Sequence, residues 1–230
     1  MIRVSVAVMD MDRAFEELVS NFLVQCRDQG REDLRSFSRS GTLEGVITDS
    51  ARSIRPDGSK HPHQWRIPRT VLDDARDRLL PLQGAIAAAR NFDDLHQRVE
   101  RAIQPIRGVG ALLVYDVASR IGAFLGLEPD AVYLHRGTRD GARLLNHRGR
   151  TVAVAALPRA FHCLTAAEIE DCLCLYKGRI HEIVTGQHAV VSKRSSAACG
   201  GWATQGSACG RGDPKMVVAR STFGSPSAAP

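Results

Sequence analysis

The stretch Ile103-Gln104-Pro105-Ile106-Arg107-Gly108-Val109-Gly110-Ala111-Leu112-Leu113-Val114-Tyr115-Asp116-Val117-Ala118-Ser119-Arg120-Ile121-Gly122 decides the fold. A helical segment ends in Gly-Val-Gly, and a second, apolar helix begins at once. Ile106, Val109, Leu113, Val117 and Ile121 recur at three- and four-residue intervals, so the second helix docks on the first and holds the turn between them. Glycine adopts φ > 0 without steric penalty and carries no side chain. Gly108 and Gly110 therefore let the turn lay its N–H groups against an anion at the positive end of the second helix.

Helical signals continue on both sides of this turn. Upstream, Asn91 caps a helix with Asp93 and Asp94 in its first turn and Leu95, Val99, Ala102 and Ile103 facing inward. Pro68 opens a helix to about Leu80, and Pro81 opens another to Arg90. Residues 41–51 form a short helix, and Phe15, Leu18, Val19, Phe22, Leu23 and Cys26 make one helical stripe over 11–29, followed by a polar stretch. Downstream, a short helix holds Val132, Tyr133 and Leu134. Thr165-Ala166-Ala167-Glu168 is a capping box, with Ile169, Cys172, Leu173 and Tyr176 as the buried stripe behind it. Strand signals are confined to Met1–Val8 and Thr151–Val154. The expected fold is all-α, an orthogonal bundle of short helices. Its divisions are an N-terminal helical segment (1–52), an ordered loop (53–67), a helical domain (68–178) and a basic tail (179–230). The tail from Ser192 lacks any hydrophobic period and is expected to be disordered. Its scattered Cys and Trp202 fit a segment translated out of frame.

Residues 103–122 resemble the helix-hairpin-helix, a module that grips the DNA backbone without reading its sequence. The resemblance rests on hydrophobic-x-Gly-hydrophobic-Gly, with Ala118 at the place where that family packs a small residue against its partner helix. It implies a non-enzymatic protein holding duplex phosphates through Arg107, Gly108, Val109 and Gly110. His135, Arg136, Arg139 and Arg143 extend the footprint, as part of a basic run to Arg150. The same module occurs in base-excision DNA glycosylases, where a catalytic aspartate follows in a Val-Asp-Thr-His-like setting. The comparable residues here are Val132-Tyr133-Leu134-His135, with tyrosine in place of the aspartate, and Leu112 stands where bifunctional members carry a lysine. Asp116 and Asp130 are the candidate catalytic carboxylates of that alternative, glycosylase-like reading. A helical protein-interaction domain is a third.

Net charge is +6, but residues 179–230 hold six Lys/Arg against two acids, so the body is only +2 and any electrostatic footprint must be local. Six cysteines include no Cys-x-x-Cys pair, which excludes a zinc knuckle and fits reduced thiols in a cytoplasmic protein. No stretch approaches the ~18 apolar residues of a membrane span, and nothing implies a cofactor or a metal. His61-Pro62-His63-Gln64-Trp65-Arg66 reads as a loop in which Trp65 plugs the core and the histidines are exposed. A nucleic-acid loop with Trp65 stacked on a base is the second reading. Asp116 lies mid-helix and must face solvent or meet a partner such as Arg120, four residues on, most simply as a surface ion pair.

Overall fold

The computed structural model describes residues 2–39, 41–55 and 57–186. Ten α-helices and one two-stranded sheet make up the described chain: α1 (Ile2–Gln25), α2 (Arg27–Ser38), α3 (Leu43–Arg52), α4 (Arg69–Leu79), α5 (Gln83–Ala87), α6 (Phe92–Ile103), α7 (Ala111–Leu125), β1 (Ala131–Tyr133), α8 (Arg136–Leu144), β2 (Thr151–Ala153), α9 (Ala166–Leu175) and α10 (Lys177–Thr185). The all-α expectation holds.

Two apolar cores divide the helices. The first gathers α3 to α7 around Val46, Ile47, Leu72, Leu95, Ile103, Val117 and Ile121. The second gathers α1, α8, α9 and α10 around Phe15, Phe22, Phe161, Ile169, Leu173 and Ile180. These cores cut across the division expected from sequence, because α1 and α3 of residues 1–52 belong to different ones. Helix α2 spans the boundary, with Cys26 before it in one core and Phe37 near its end in the other. Strand β1 does the same by alternation: Tyr133 enters the first core while Val132 and Leu134 enter the second.

Several elements differ from the sequence reading. Residues 2–8 are helical rather than extended, and α2 is helical where a polar stretch was expected. Val132 and Tyr133 form β1, antiparallel to β2 in the register Val132 to Val152. The basic tail begins later than position 179, since α10 reaches Thr185 and buries Ile180 and Ile183. The expectations for residues 187–230 lie outside the described residues.

The α6–α7 hairpin is built as its pattern requires. Asn91 caps α6 by accepting from the Asp94 N–H at 2.9 Å, and Leu95, Val99 and Ile103 are fully buried along it. Helix α7 is buried on nearly every side, the mark of a central helix. It ends at Gly126 with φ +70°, where the Leu127 N–H bonds the Gly122 carbonyl at 2.8 Å.

Candidate functional site

Two places on α7 concentrate function-bearing groups: the turn before it and the face of its middle turns. At the turn, Gly108 has φ +100°, a conformation that charges any other residue steric energy. Val109 is buried, while Arg107, Gly108 and Gly110 are exposed. Gly110 is extended (φ −108°, ψ 169°) and caps α7 without a side chain. The N–H groups of Gly110, Ala111 and Leu112 find no acceptor among the described residues, so they present the helix's positive end outward.

Helix α4 lies against this turn, for a Cβ at Gly108 would sit 3.7 Å from the Val71 methyls. The segment leading into α4 is pinned to α7 as well: the Gln64 amide donates to Asp116 Oδ2, and Gln64 Oε1 accepts from Arg120 Nη2 at 3.3 Å. Trp65, Arg66 and Arg69, all exposed, therefore stand between two ties to the hairpin. Trp65 is 67% exposed and His61 only 4%, the reverse of the plugging role read from sequence. His61 is drawn inward because it stacks on Phe37, at 6.1 Å between ring centroids.

The basic run beyond the hairpin does not form one patch. His135 is not on the surface with the arginines, being 3% exposed with its Nε2 hydrogen-bonded to Glu170. Arg139 donates to the Leu134 carbonyl at 3.0 Å, Arg143 meets Asp140 at 3.5 Å, and Arg150 pairs with Glu100 on α6. Arg136 and Arg148 are exposed. The pair with Glu100 brings the far end of the run to the last turn of α6, beside the hairpin.

Along the middle of α7, Asp116 is not the exposed partner of Arg120 that the spacing suggested. Its side chain is 14% exposed and that of Arg120 is 7% exposed, 3.7 Å apart, with His63 Nδ1 3.8 Å from the carboxylate. Burial alone would raise the Asp116 carboxyl, but hydrogen bonding from His63 and the charge of Arg120 hold it below the ordinary range. The hydrogen bond to Asp116 raises His63 in return. Arg120 also donates to the Ser50 carbonyl at 3.3 Å and lies over the Phe37 ring at 5.8 Å.

These groups face a cavity of about 440 Å³ between α2, α7 and α9. Helix α9 brings Glu168, Glu170 and Asp171 to it. Glu168 closes the capping box at Thr165 and also accepts from Arg27 Nε at 2.7 Å and Arg31 Nε at 2.9 Å. Sequence reasoning missed this cluster, although its signal resembles the one that singled out Asp116: carboxylates set within an apolar helical stripe. Asp130, the other candidate catalytic carboxylate, is exposed at the start of β1. Tyr133 gives its hydroxyl to Asp93 Oδ1 at 2.8 Å. Among the described residues no three His, Cys, Asp or Glu are placed to hold a metal ion, and no helix is long and apolar enough to cross a membrane. No protein-family model, curated protein or solved structure matches this chain.

Proposed function

We propose that the chain binds the phosphate backbone of DNA through the α6–α7 hairpin, without reading base sequence. The observation that carries this reading is the turn itself: Gly108 at φ +100° and uncapped Gly110 leave a row of unanswered N–H groups on the surface at the positive end of α7. Arg107 supplies an exposed charge beside them, and Arg66 and Arg69 add two more across the contact between α4 and the turn. Backbone donors and arginines at one place hold phosphates and carry no base information. Excision of bases is not part of the proposal, since Tyr133 stands where a glycosylase needs its carboxylate and spends its hydroxyl on Asp93.

The test is an electrophoretic shift of the full chain with duplex and single-stranded DNA at two salt concentrations. Binding should be indifferent to sequence and should weaken as salt rises, with a slope set by the phosphates contacted. Sequence-selective binding, or a salt-independent complex, would sink the reading.

A further inference from the structure

The cavity between α2, α7 and α9 lies in the size range of sites that enclose a small molecule, and the hairpin reading makes no use of it. Part of its wall is apolar, from Phe22, Leu34, Phe37, Ala123 and Leu127. Four of its six carboxylates are already answered: Asp116 by Gln64 and Arg120, Glu168 by Arg27 and Arg31, Glu170 by His135, and Asp33 by Arg55 at 3.5 Å, while Glu128 is exposed to solvent. Asp171 is different. No hydrogen bond or salt bridge from a described residue reaches it, and α2 passes it at a glycine, where a Cβ on Gly30 would lie 3.2 Å from its Oδ2.

Burial, with the charges of Glu170, Asp116, Glu168 and Asp33, pushes the Asp171 carboxyl well above its ordinary range. Surroundings that hold a proton there favour positive charge of any kind at that place, and the proton is only its smallest carrier. Arg27 and Arg31 face the same space from α2, but both are committed to Glu168. His61 also lines the wall, with its Nε2 closed off from the open space. It is 4% exposed, its Nε2 has no hydrogen-bond partner, and burial brings its pKa down to about 3, so the ring is neutral.

We infer that this cavity is a binding site for a small organic cation, an ammonium group on an aromatic or apolar body, with Asp171 as its counter-ion. The body packs against the apolar part of the wall, from Phe22, Leu34, Ala123 and Leu127. A divalent metal is the wrong occupant, because the wall offers no three ligands gathered for one. Binding exchanges one cation for another: the ammonium enters, Asp171 ionises, and its proton leaves to the buffer.

Benzylammonium and its neutral counterpart benzyl alcohol make the test, titrated calorimetrically into the full chain in two buffers of different ionisation heat. Benzylammonium should bind at least tenfold more tightly than the alcohol. It should release up to one proton per site, and it should tighten as pH rises toward the Asp171 pKa. Asp171→Asn should remove the proton release and the preference while leaving benzyl alcohol unchanged. Equal binding of the two compounds, no binding of benzylammonium at millimolar concentration, or proton release that survives in Asp171→Asn would overturn the inference. The wild-type pH dependence decides the matter even if the variant fails to fold. DNA binding by the hairpin is unaffected by either result.

Discussion

Gln64 answers both members of the Asp116–Arg120 pair: its amide nitrogen donates to the Asp116 carboxylate and its carbonyl accepts from the Arg120 guanidinium. One loop residue thus fixes two groups a helical turn apart on α7. It also fixes the backbone beside Trp65, the next residue, which is exposed. A buried ion pair is tolerable only when the remaining donors and acceptors are met, and Gln64 with the Ser50 carbonyl does that here.

Removing one member should therefore cost more than removing both. Asp116→Ala leaves the Arg120 guanidinium buried and unpaired, and should destabilise the fold by about 3–5 kcal/mol. The double variant Asp116→Ala, Arg120→Met should recover a good part of that loss. Urea denaturation of wild type, Asp116→Ala, Arg120→Met and the double variant measures the coupling, and additive losses would show that the two charges do not depend on each other.

The hairpin glycines should separate stability from binding. Gly108→Ala forces a Cβ into φ +100° and should cost about 1–2 kcal/mol. Gly110→Ala should leave stability nearly unchanged, because Gly110 is extended and a Cβ there meets nothing within 4 Å. A methyl added at the turn crowds an approaching phosphate, so DNA binding should fall although the fold is intact. Undiminished binding by Gly110→Ala would remove the turn from the interface.

Local chemistry made much of this fold legible. Asn91 and Thr165 cap helices as their side chains dictate, and the Ile106 to Ile121 stripe is buried along its whole length. The failures lie where a distant partner decides. Val132 and Tyr133 become a strand because Thr151 to Ala153 pairs with them across an intervening helix. His61 is buried because Phe37 waits for it, and Trp65 is exposed because its neighbour Gln64 takes the inward place. The cavity could not be read at all, since its wall joins α2, α7 and α9, which no sequence period connects. His135 shows the same limit: proximity in the chain groups it with the arginines, and Glu170 pulls it inside.

His61 should make stability depend on pH. Its pKa falls from the ordinary 6.5 to about 3, chiefly through burial and then through the charges of Arg120 and Arg55, with Asp116 opposing and His63 adding to the depression. Between those values the unfolded chain holds a proton that the folded chain lacks, so stability drops as pH falls, by up to about 1.4 kcal/mol per pH unit. His63, raised by Asp116, acts only above pH 6.5, where its stabilising proton is lost as pH rises. Asp171, also raised, opposes His61 in the acidic range. The diagnostic quantity is therefore the difference between wild type and His61→Asn. Denaturation at pH 6.5 and pH 5 should show the variant gaining on wild type as pH falls, and a constant difference would place His61 in contact with water.

Salt dependence should sort the arginines. Arg107→Ala and Arg136→Ala remove exposed charges, and each that contacts a phosphate should lower the salt slope of DNA binding by about one unit. Arg139→Ala should act on the fold instead, by leaving the Leu134 carbonyl without its donor. An unchanged slope for both Arg107 and Arg136 would move the footprint elsewhere.

Helix α8 touches α9 at Gly141, where an added Cβ would meet the Leu173 carbonyl oxygen. Backbone cannot yield as a flexible side chain does, so Gly141→Ala must push the two helices apart. That shift would disturb the Ala142 packing and stretch the bond between His135, which precedes α8, and Glu170 on α9. A loss of about 1–3 kcal/mol is expected, as for overpacked cores in general. Gly84 in α5 provides the opposite case: it is exposed, with nothing within 4 Å of a Cβ. Gly84→Ala should stabilise the protein by about 0.5–1 kcal/mol through helix propensity. Thermal denaturation of both variants reads the contrast, and equal melting temperatures would mean that α8 and α9 are not in backbone contact.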